Sequence, residues 1–394
     1  MALLLADGIS RTGNAVTTVA VPLLALAMTG SAFATGIAGV FATAPIVLGG
    51  GLGGTLVDRI GWRRAGIAAD AASGITSIAI PVLAGLDWLS FPLLLALVFL
   101  SNLLDTPGST ARTAQLPELA ELAGAPLSRV MSAHAIISRS AGMIGVGLAG
   151  SLVATVGAAN ALAATAVFAV SIALTAAFVP PDARDTEARA DEPREPYLRE
   201  LAAGVGFVVR TPLVRAIVLL VVLTNMVDAA GMTVLKPVWA ERLGDGGAAL
   251  GAMLAVFAGG ALAGAALYGI LGDRVPRRVL LVVLFLLAGP PPYVALALGA
   301  PLPVVLVILA LAGLAAGPLN PLLETALFGI IPVAMRARVL GTVAAGVAAG
   351  MPVGSALAGS GVEQLGLMPT LAVAAALYLG VILATAFGRR WRGF

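Results

Sequence analysis

Apolar segments of about 20 residues recur from one end of the 394-residue sequence to the other, separated by short polar stretches. A helix of this length crosses a hydrocarbon core roughly 30 Å thick. Hydrophobic residues make up 59% of the chain and charged residues 11%, a composition too apolar for a domain whose surface faces water. Lipid is therefore the solvent around most of this chain.

These segments predict an all-α membrane protein with twelve transmembrane helices. Six lie in the first half of the chain, at residues 3–28, 33–56, 65–86, 90–113, 130–155 and 159–179. Six more lie in the second half, at residues 213–239, 247–270, 279–299, 302–327, 338–360 and 367–387. The two sets predict two six-helix bundles.

One long polar stretch, residues 180–199, separates the two sets. It is rich in proline and carries charges of both signs, which is typical of a solvated linker. We therefore predict an N-terminal bundle at 1–179, a cytoplasmic linker at 180–211 and a C-terminal bundle at 212–394. The last part of the linker, from Glu195 to Arg210, is a candidate for an interfacial helix.

Arginine clusters in the short loops indicate how the chain lies in the membrane, because basic residues near membrane spans accumulate on the cytoplasmic side. With both termini in the cytoplasm, most of the 23 Lys and Arg residues fall at cytoplasmic helix ends, and only Arg242 lies clearly outside. We expect this orientation. We expect no cleavable signal peptide, because the first apolar segment carries Asp7 and Arg11 and has no charged leader.

Several functional classes are excluded by composition. Cysteine is absent and His134 is the single histidine, so no disulfide framework, thiol nucleophile, haem site or usual zinc site is expected. The net charge of +3 reflects membrane-flanking arginines rather than a nucleic-acid-binding face. Sequence motifs of metalloproteases, serine hydrolases and paired catalytic aspartates do not occur. We expect no cofactor, no metal and no enzymatic activity.

Two polar sequences indicate that the halves resemble each other. GTLVDRIGWRR at residues 54–64 follows the second predicted helix, and GILGDRVPRR at residues 269–278 follows the eighth. Asp58 and Asp273 are 215 residues apart (273 − 58), and Pro117 and Pro332 have the same separation (332 − 117). Two matching offsets predict pseudo-symmetric halves in parallel topology.

The first of these sequences resembles the loop motif between helices 2 and 3 of the major facilitator superfamily, in which a degenerate copy follows helix 8. The resemblance covers essentially the whole chain and implies the major facilitator fold. It also implies a cytoplasmic gate in which Asp58 and Arg59 hold the halves together; the alternative is that the arginines act only as topology signals. The gate residues would be Gly54, Asp58, Arg59, Gly61, Arg63, Arg64, Asp273, Arg274 and Arg278, with Asp105 and Arg112 near the end of helix 4.

Further segments are similar to the drug:proton antiporter group that includes macrolide efflux pumps and the enterobactin exporter. They are SRTGN at 10–14, VPL at 21–23, TGS at 29–31 and DTPGSTAR at 105–112. This resemblance implies a monomeric exporter of the bacterial inner membrane, with a small amphiphilic or drug-like substrate and protons as partners. One departure weakens the inference of antiport: Val146 stands where the antiporter motif of helix 5 has proline.

Ionisable residues inside the hydrocarbon are candidates for function, because each costs roughly 2.5–3.5 kcal/mol there on insertion scales. At 1.5 Å per residue, Arg139 and Asp228 lie roughly 15–22 Å from their cytoplasmic helix ends, nearest the predicted middle of the membrane. Asp228 is the leading proton-coupling candidate, with a static ion pair as the alternative. The full set is Asp7, Arg11, Asp70, Asp105, His134, Arg139, Asp228 and Glu324.

The other candidates each have two interpretations. Asp7 and Arg11, four residues apart on one helix face, are either a structural pair or part of the proton and substrate pathway. Arg139 either binds a carboxylate or anionic substrate group in the cavity or hydrogen-bonds carbonyls inside the bundle. Glu324 is a further proton-coupling candidate; the alternative is that water access near its cytoplasmic helix end, or bridging between helices to the motif loops, explains it without transport. Candidates for hydrogen bonds to substrate are Asn14, Asn102 and Asn225.

The expected mechanism is secondary active export, in which one bundle rocks against the other around a central site. An importer or facilitator of a small metabolite with the same fold is an alternative, and so is a non-transporting membrane receptor. Helix glycines such as Gly260 and Gly264 are predicted to form packing seams rather than ligand contacts.

Overall fold

A computed structural model describes residues 1–179, 197–244, 246–271, 277–332 and 336–387. At some helical positions, including 49–60, it describes the backbone but not the side chains. All repeating secondary structure in these ranges is helical, and no β-strand occurs among the described residues. The predicted all-α class is confirmed.

The first half contains every span predicted for it, with ends within a few residues. Four long helices come first: α1 (Ala2–Thr29), α2 (Ala32–Ile60), α3 (Trp62–Gly85) and α4 (Phe91–Ala114). A short helix that was not predicted, α5 (Leu116–Leu122), precedes α6 (Leu127–Val156). The sixth span runs through α7 (Ala158–Ala161), a 3₁₀ segment (Leu162–Ala166) and α8 (Val167–Phe178).

The second half also contains every predicted span, but several are divided. The linker segment includes α9 (Tyr197–Arg210). The seventh span follows and consists of α10 (Pro212–Ala230), a π-helical turn (Gly231–Leu235) and α11 (Lys236–Glu241). Next comes α12 (Gly246–Leu271). The ninth and tenth spans are α13 (Arg277–Ala288) with α14 (Pro290–Ala297), and α15 (Leu302–Ala316) with α16 (Leu319–Ile330). The last two are α17 (Arg336–Leu365) and α18 (Leu367–Phe387).

Proline explains the divisions of the ninth and tenth spans. Pro290 follows the break at Gly289, and Pro318 lies between α15 and α16. Proline has no N–H for an intrahelical bond, and its ring clashes with the preceding turn. Periodicity alone did not predict either break.

Ten helical segments among the described residues are long and apolar enough to cross a membrane. The second and fourth predicted spans, α2 and α4, contribute shorter apolar segments at Ala32–Leu48 and Phe91–Leu103. The arrangement is consistent with twelve crossings.

The chain forms two compact units. Unit 1 comprises Met1–Gly30, Phe41–Arg194 and Gly244–Gly251, and unit 2 comprises Ser31–Val40, Glu195–Leu243 and Ala252–Phe394. The domain boundaries deduced from the sequence stay a prediction.

Glycine allows close packing inside each unit. In unit 1 the ring of Phe168, which is fully buried, fills the space beside Gly13 and Gly74. In unit 2, a Cβ on Gly264 would overlap the Leu314 carbonyl of α15, and one on Gly260 would overlap the Ala310 carbonyl. The packing seam predicted at these two glycines is confirmed, because backbones meet where no side chain intervenes.

Candidate functional site

A guanidinium buried in unit 1 joins two carboxylates from different helices. Arg112 of α4 donates from Nε to Asp7 of α1 over 3.2 Å, and from Nη1 to Asp70 of α3 over 3.0 Å. All three side chains are only 2–3% exposed. Buried charges of this kind need partners, so the contacts tie α1, α3 and α4 together.

Two serines complete the surroundings of Asp70. Ser10 accepts a hydrogen bond from Arg112 Nη2 over 3.1 Å and donates one to Asp70 Oδ1 over 2.8 Å. Ser171 of α8 lies 2.6 Å from Asp70 Oδ2, within donating distance. Both carboxylate oxygens therefore have a donor. We call Asp7, Asp70, Arg112, Ser10 and Ser171 the buried charge cluster.

Asp7 connects this cluster to less buried groups. Arg11 donates to Asp7 Oδ2 over 2.7 Å, which confirms the pair predicted from their four-residue spacing. The Arg11 side chain is 35% exposed, whereas that of Asp7 is 2% exposed. His134 Nε2 lies 3.2 Å from the same oxygen but lacks the alignment of a hydrogen bond. Asp7 therefore faces three basic side chains.

The predicted asparagine contacts differ from one another. The Asn14 amide donates to Asp105 Oδ1 over 2.8 Å, so these two candidates engage each other. Asn102 and Asn225 each donate to the carbonyl four residues earlier in their own helix, Val98 and Val221, over 2.8 Å. Of the two, Asn225 lines the cavity described below.

Two arginines of the predicted gate cap the last helix of their own half. Arg63 donates to the carbonyls of Thr175 and Ala176 at the end of α8. Arg278 donates to the carbonyl of Ala386 at the end of α18 over 2.6 Å. The two arginines are 215 residues apart (278 − 63), the offset of the internal repeat. Cations at helix C-termini stabilise the exposed carbonyls and the negative end of the dipole.

The remaining gate candidates are only partly described. Gly61 joins α2 to α3 with a φ of 85°, a conformation that glycine adopts readily. Arg64 is exposed. The side chains of Arg139 and Glu324 lie outside the described part of the structure, as do Asp273 and Arg274 entirely. The same holds for the side-chain environment of Gly54, Asp58 and Arg59.

Unit 2 encloses a cavity of ≈150 Å³ around Asp228. The carboxylate belongs to α10 and is exposed to this space. Other polar lining groups are Thr224, Asn225, Asn320 and Tyr378, and the aromatic lining groups are Phe257 and Phe285. Aliphatic side chains complete the wall. The space thus combines one carboxylate, four hydrogen-bonding side chains and an apolar wall of similar extent.

Two buried tyrosines flank Asp228. The Tyr378 hydroxyl lies 3.5 Å from Asp228 Oδ2, and the Tyr293 hydroxyl donates to the Val227 carbonyl over 3.0 Å. Gly289 makes room for the Tyr378 ring and Gly231 for the Tyr293 hydroxyl, since a Cβ at either glycine would overlap the tyrosine. The break at Gly289 therefore helps to place a polar group beside the carboxylate.

Sequence reasoning missed Lys236, although it lies inside the seventh predicted span. Its Nζ stands 5.7 Å from the centre of the Phe257 ring, a lining group of the cavity. A lysine inside an apolar span costs free energy for the same reason as Asp228, namely loss of its hydration. The search for ionisable residues inside spans therefore applies to Lys236 as well.

The sequence matches the family described as transmembrane secretion effectors, a branch of the major facilitator superfamily, over residues 1–390. The chain belongs to this family. It is thus a multi-pass membrane protein of a transporter superfamily, as the motif after the second helix indicated. The resemblance stated from sequence is confirmed.

Two relatives named as multidrug efflux pumps align along almost the whole chain. The multidrug efflux pump Tap of Mycolicibacterium fortuitum is 29% identical over 375 residues, covering 94% of this chain and 91% of the relative. Tap of Mycobacterium tuberculosis is 31% identical over 371 residues, covering 93% and 88% respectively.

Solved structures support the fold. The nucleoside transporter NupG superposes with a TM-score of 0.78 at 12% identity, covering 98% of this chain and 97% of that one. A D-xylose–proton symporter superposes with a TM-score of 0.72 at 16% identity, covering 100% and 98%. At these identities the likeness concerns the major facilitator fold alone.

Proposed function

We propose that this protein is a secondary active transporter that exports small amphiphilic or drug-like molecules in exchange for protons. The observation that carries the proposal is the exposed carboxylate of Asp228 in a cavity of unit 2 whose wall also includes aromatic and aliphatic side chains. The names of the relatives favour export, because both are multidrug efflux pumps.

The cavity suits an amphiphilic ligand. Phe257 and Phe285 offer flat apolar surfaces, and Leu319 and Leu323 extend them. Binding to such a wall is driven by the removal of apolar surface from water and depends little on ligand shape. A few hydrogen-bonding groups would orient the ligand without demanding one particular structure.

Proton coupling is proposed for Asp228 on physical grounds. Protonation removes its charge, so the free energy of occluding the cavity from water depends on whether Asp228 carries a proton. If substrate and proton compete for this one site, the site carries either one or the other each time it changes sides. Alternating exposure to the two sides of the membrane then exchanges substrate for protons. Glu324 is retained as a second proton-coupling candidate.

The buried charge cluster has a different proposed role. Asp7 faces Arg112 and Arg11, and Asp70 has a donor on each oxygen. Protonation of Asp7 or Asp70 would remove a negative charge beside the buried guanidinium of Arg112 and leave that charge only partly compensated. We therefore assign Asp7 to the structural pair rather than to the proton pathway.

The remaining proposals follow from topology and from the family. We place both termini in the cytoplasm of a bacterial cell, with the protein in the inner membrane as a monomer. The sequence that ends α2 and begins α3, with Asp58 and Arg59 at the end of α2, is proposed as the cytoplasmic gate. Transport rather than enzymatic catalysis is proposed as the activity.

Efflux from proteoliposomes under an imposed pH gradient tests the proposal. Asp228→Asn should abolish gradient-driven transport of a fluorescent amphiphilic dye while leaving folding intact. Asp87→Asn is the matched control, because Asp87 is exposed and has a φ of 56°, which Asn tolerates. Gradient-driven flux that persists in Asp228→Asn would remove Asp228 from the mechanism.

The same assay separates the alternatives. A facilitator would move the dye down its own gradient whatever the sign of the pH gradient, and a proton-coupled importer would move the dye in the same direction as the protons. A receptor would bind the dye and show no flux. Export in exchange for protons requires dye movement opposite to the proton flow, and that movement must reverse when the pH gradient is reversed.

A further inference from the structure

A π-helical turn lies between Asp228 and Lys236 in the seventh span. The turn comprises Gly231–Leu235, and the Lys236 N–H donates to the carbonyl of Gly231, five residues earlier. Such turns amount to one residue inserted into an α-helix and are frequent at functional sites. This one lies between two ionisable side chains.

The inserted residue changes the face to which Lys236 belongs. Eight residues of regular α-helix make roughly 2.2 turns, which would rotate Lys236 by about 80° from Asp228. With one residue absorbed by the π-turn, the separation equals about seven residues, close to two whole turns. Asp228 and Lys236 therefore share one face of the span, and Asp228 lines the cavity on that face.

The position of the ammonium agrees with this register. Lys236 Nζ stands 5.7 Å from the centre of the Phe257 ring, within range of a cation–π contact. No ion pair within 4.0 Å joins Lys236 and Asp228 in the described structure. Phe257 lines the Asp228 cavity. Lys236 thus places a cation on an aromatic wall of the proposed binding site.

We propose that Lys236 is a tethered cation that determines charge selectivity in this cavity, and that a cationic amphiphile binds by taking its place at Phe257, beside Asp228. The inference rests on the proposed function only in using the Asp228 cavity as the substrate site. A lone carboxylate on an apolar wall would hold any lipophilic cation. A neighbouring ammonium weakens that attraction and makes the site acceptable to neutral and anionic groups.

The flexible lysine chain suits this role. Four rotatable methylene groups let the ammonium leave the Phe257 ring at small cost when a ligand arrives. Phe257 would then receive the ligand's cation or aromatic ring in its place. The carboxylate of Asp228 keeps a positive neighbour in both states.

Binding of two probes of nearly equal shape and opposite charge tests the proposal. Tetraphenylphosphonium and tetraphenylborate are titrated against the purified full-length protein in detergent, with protein-free micelles subtracted. Lys236→Met, which keeps the length and removes the charge, should shift the affinity ratio toward the phosphonium by about tenfold, equal to ~1.4 kcal/mol. Lys236→Arg, which keeps the charge, should leave the ratio within about twofold.

Asp228→Asn supplies the opposite arm of the test and should shift the ratio toward the borate. The ratio is taken within one sample, so it does not depend on the folded fraction of a variant. An unchanged ratio in Lys236→Met overturns the proposal. So does a shift in Lys236→Met without the opposite shift in Asp228→Asn.

The measurement is made at equilibrium without a proton gradient. Failure of gradient-driven export would therefore contradict the proposed function without affecting the result of this binding measurement. Conversely, export that survives with an unchanged affinity ratio would remove Lys236 alone.

Discussion

Arg112 Nη1 and Asp70 Oδ1 lie 3.0 Å apart in unit 1, and almost nothing of either side chain is exposed. The same guanidinium bonds Asp7, so one arginine faces two carboxylates. Arg11, which is partly exposed, supplies a second positive charge at Asp7. The four charges balance, and loss of Arg112 would leave two carboxylates facing one exposed cation.

Arg112→Met should therefore destabilise the protein by roughly 3–5 kcal/mol, the usual effect of removing one partner from a buried ion pair. Thermal unfolding of the purified protein in detergent measures the change. Arg64→Met is the control, because Arg64 is an exposed arginine of unit 1. Adding Asp70→Asn to Arg112→Met should recover part of the loss. An unfolding midpoint equal to that of Arg64→Met would show that the cluster does not support unit 1.

The capping arginines give a prediction about pseudo-symmetry. Arg63→Gln and Arg278→Gln should each lower stability by about 1–2 kcal/mol, because each removes a charged donor from the carbonyls that end a helix. The two losses should be alike and should add in the double variant, since the sites lie in different units. Unfolding in detergent measures all three variants. A large loss in one and none in the other would contradict equivalent roles.

Much of the fold follows from the sequence because the bilayer imposes one length on every span. All twelve predicted segments contain helix, and the 215-residue offset found at Asp58 and Asp273 reappears between Arg63 and Arg278 as equivalent contacts. The four-residue spacing of Asp7 and Arg11 likewise predicted their pair. These features depend on the spacing of residues within a helix or between repeated segments, and both spacings can be read from one sequence.

The buried charge cluster and the cavity were harder to predict. Arg112 meets Asp7 and Asp70 through contacts that span 105 and 42 residues, and no local pattern reports such distances. Asp228 was chosen for its depth. Lys236 shares a helix face with Asp228 because of a π-helical turn between them. Such a turn changes the helix face on which later residues lie, and the hydrophobic pattern of the sequence does not reveal it.

The glycine seam of unit 2 predicts a sharp difference between two Gly→Ala substitutions. Gly264→Ala should cost about 1–3 kcal/mol, because the new Cβ would overlap the Leu314 carbonyl and force α12 away from α15. Gly380→Ala should be neutral or slightly stabilising, since no atom lies within 4 Å of its added Cβ and alanine favours helix. Thermal unfolding compares them directly. Equal midpoints would mean that the two helices do not pack through Gly264.

Two tyrosines near Asp228 should separate transport from stability. Tyr378→Phe removes the hydroxyl that lies 3.5 Å from Asp228 Oδ2 and should slow gradient-driven efflux roughly threefold, as expected for loss of a long hydrogen bond worth less than about 1 kcal/mol. Tyr293→Phe removes a donor to the Val227 carbonyl and should lower the unfolding midpoint with little effect on efflux per folded molecule. Dye efflux and unfolding are measured on both variants. If Tyr293→Phe slows efflux while Tyr378→Phe does not, the hydroxyl that affects Asp228 during transport is that of Tyr293 and not that of Tyr378.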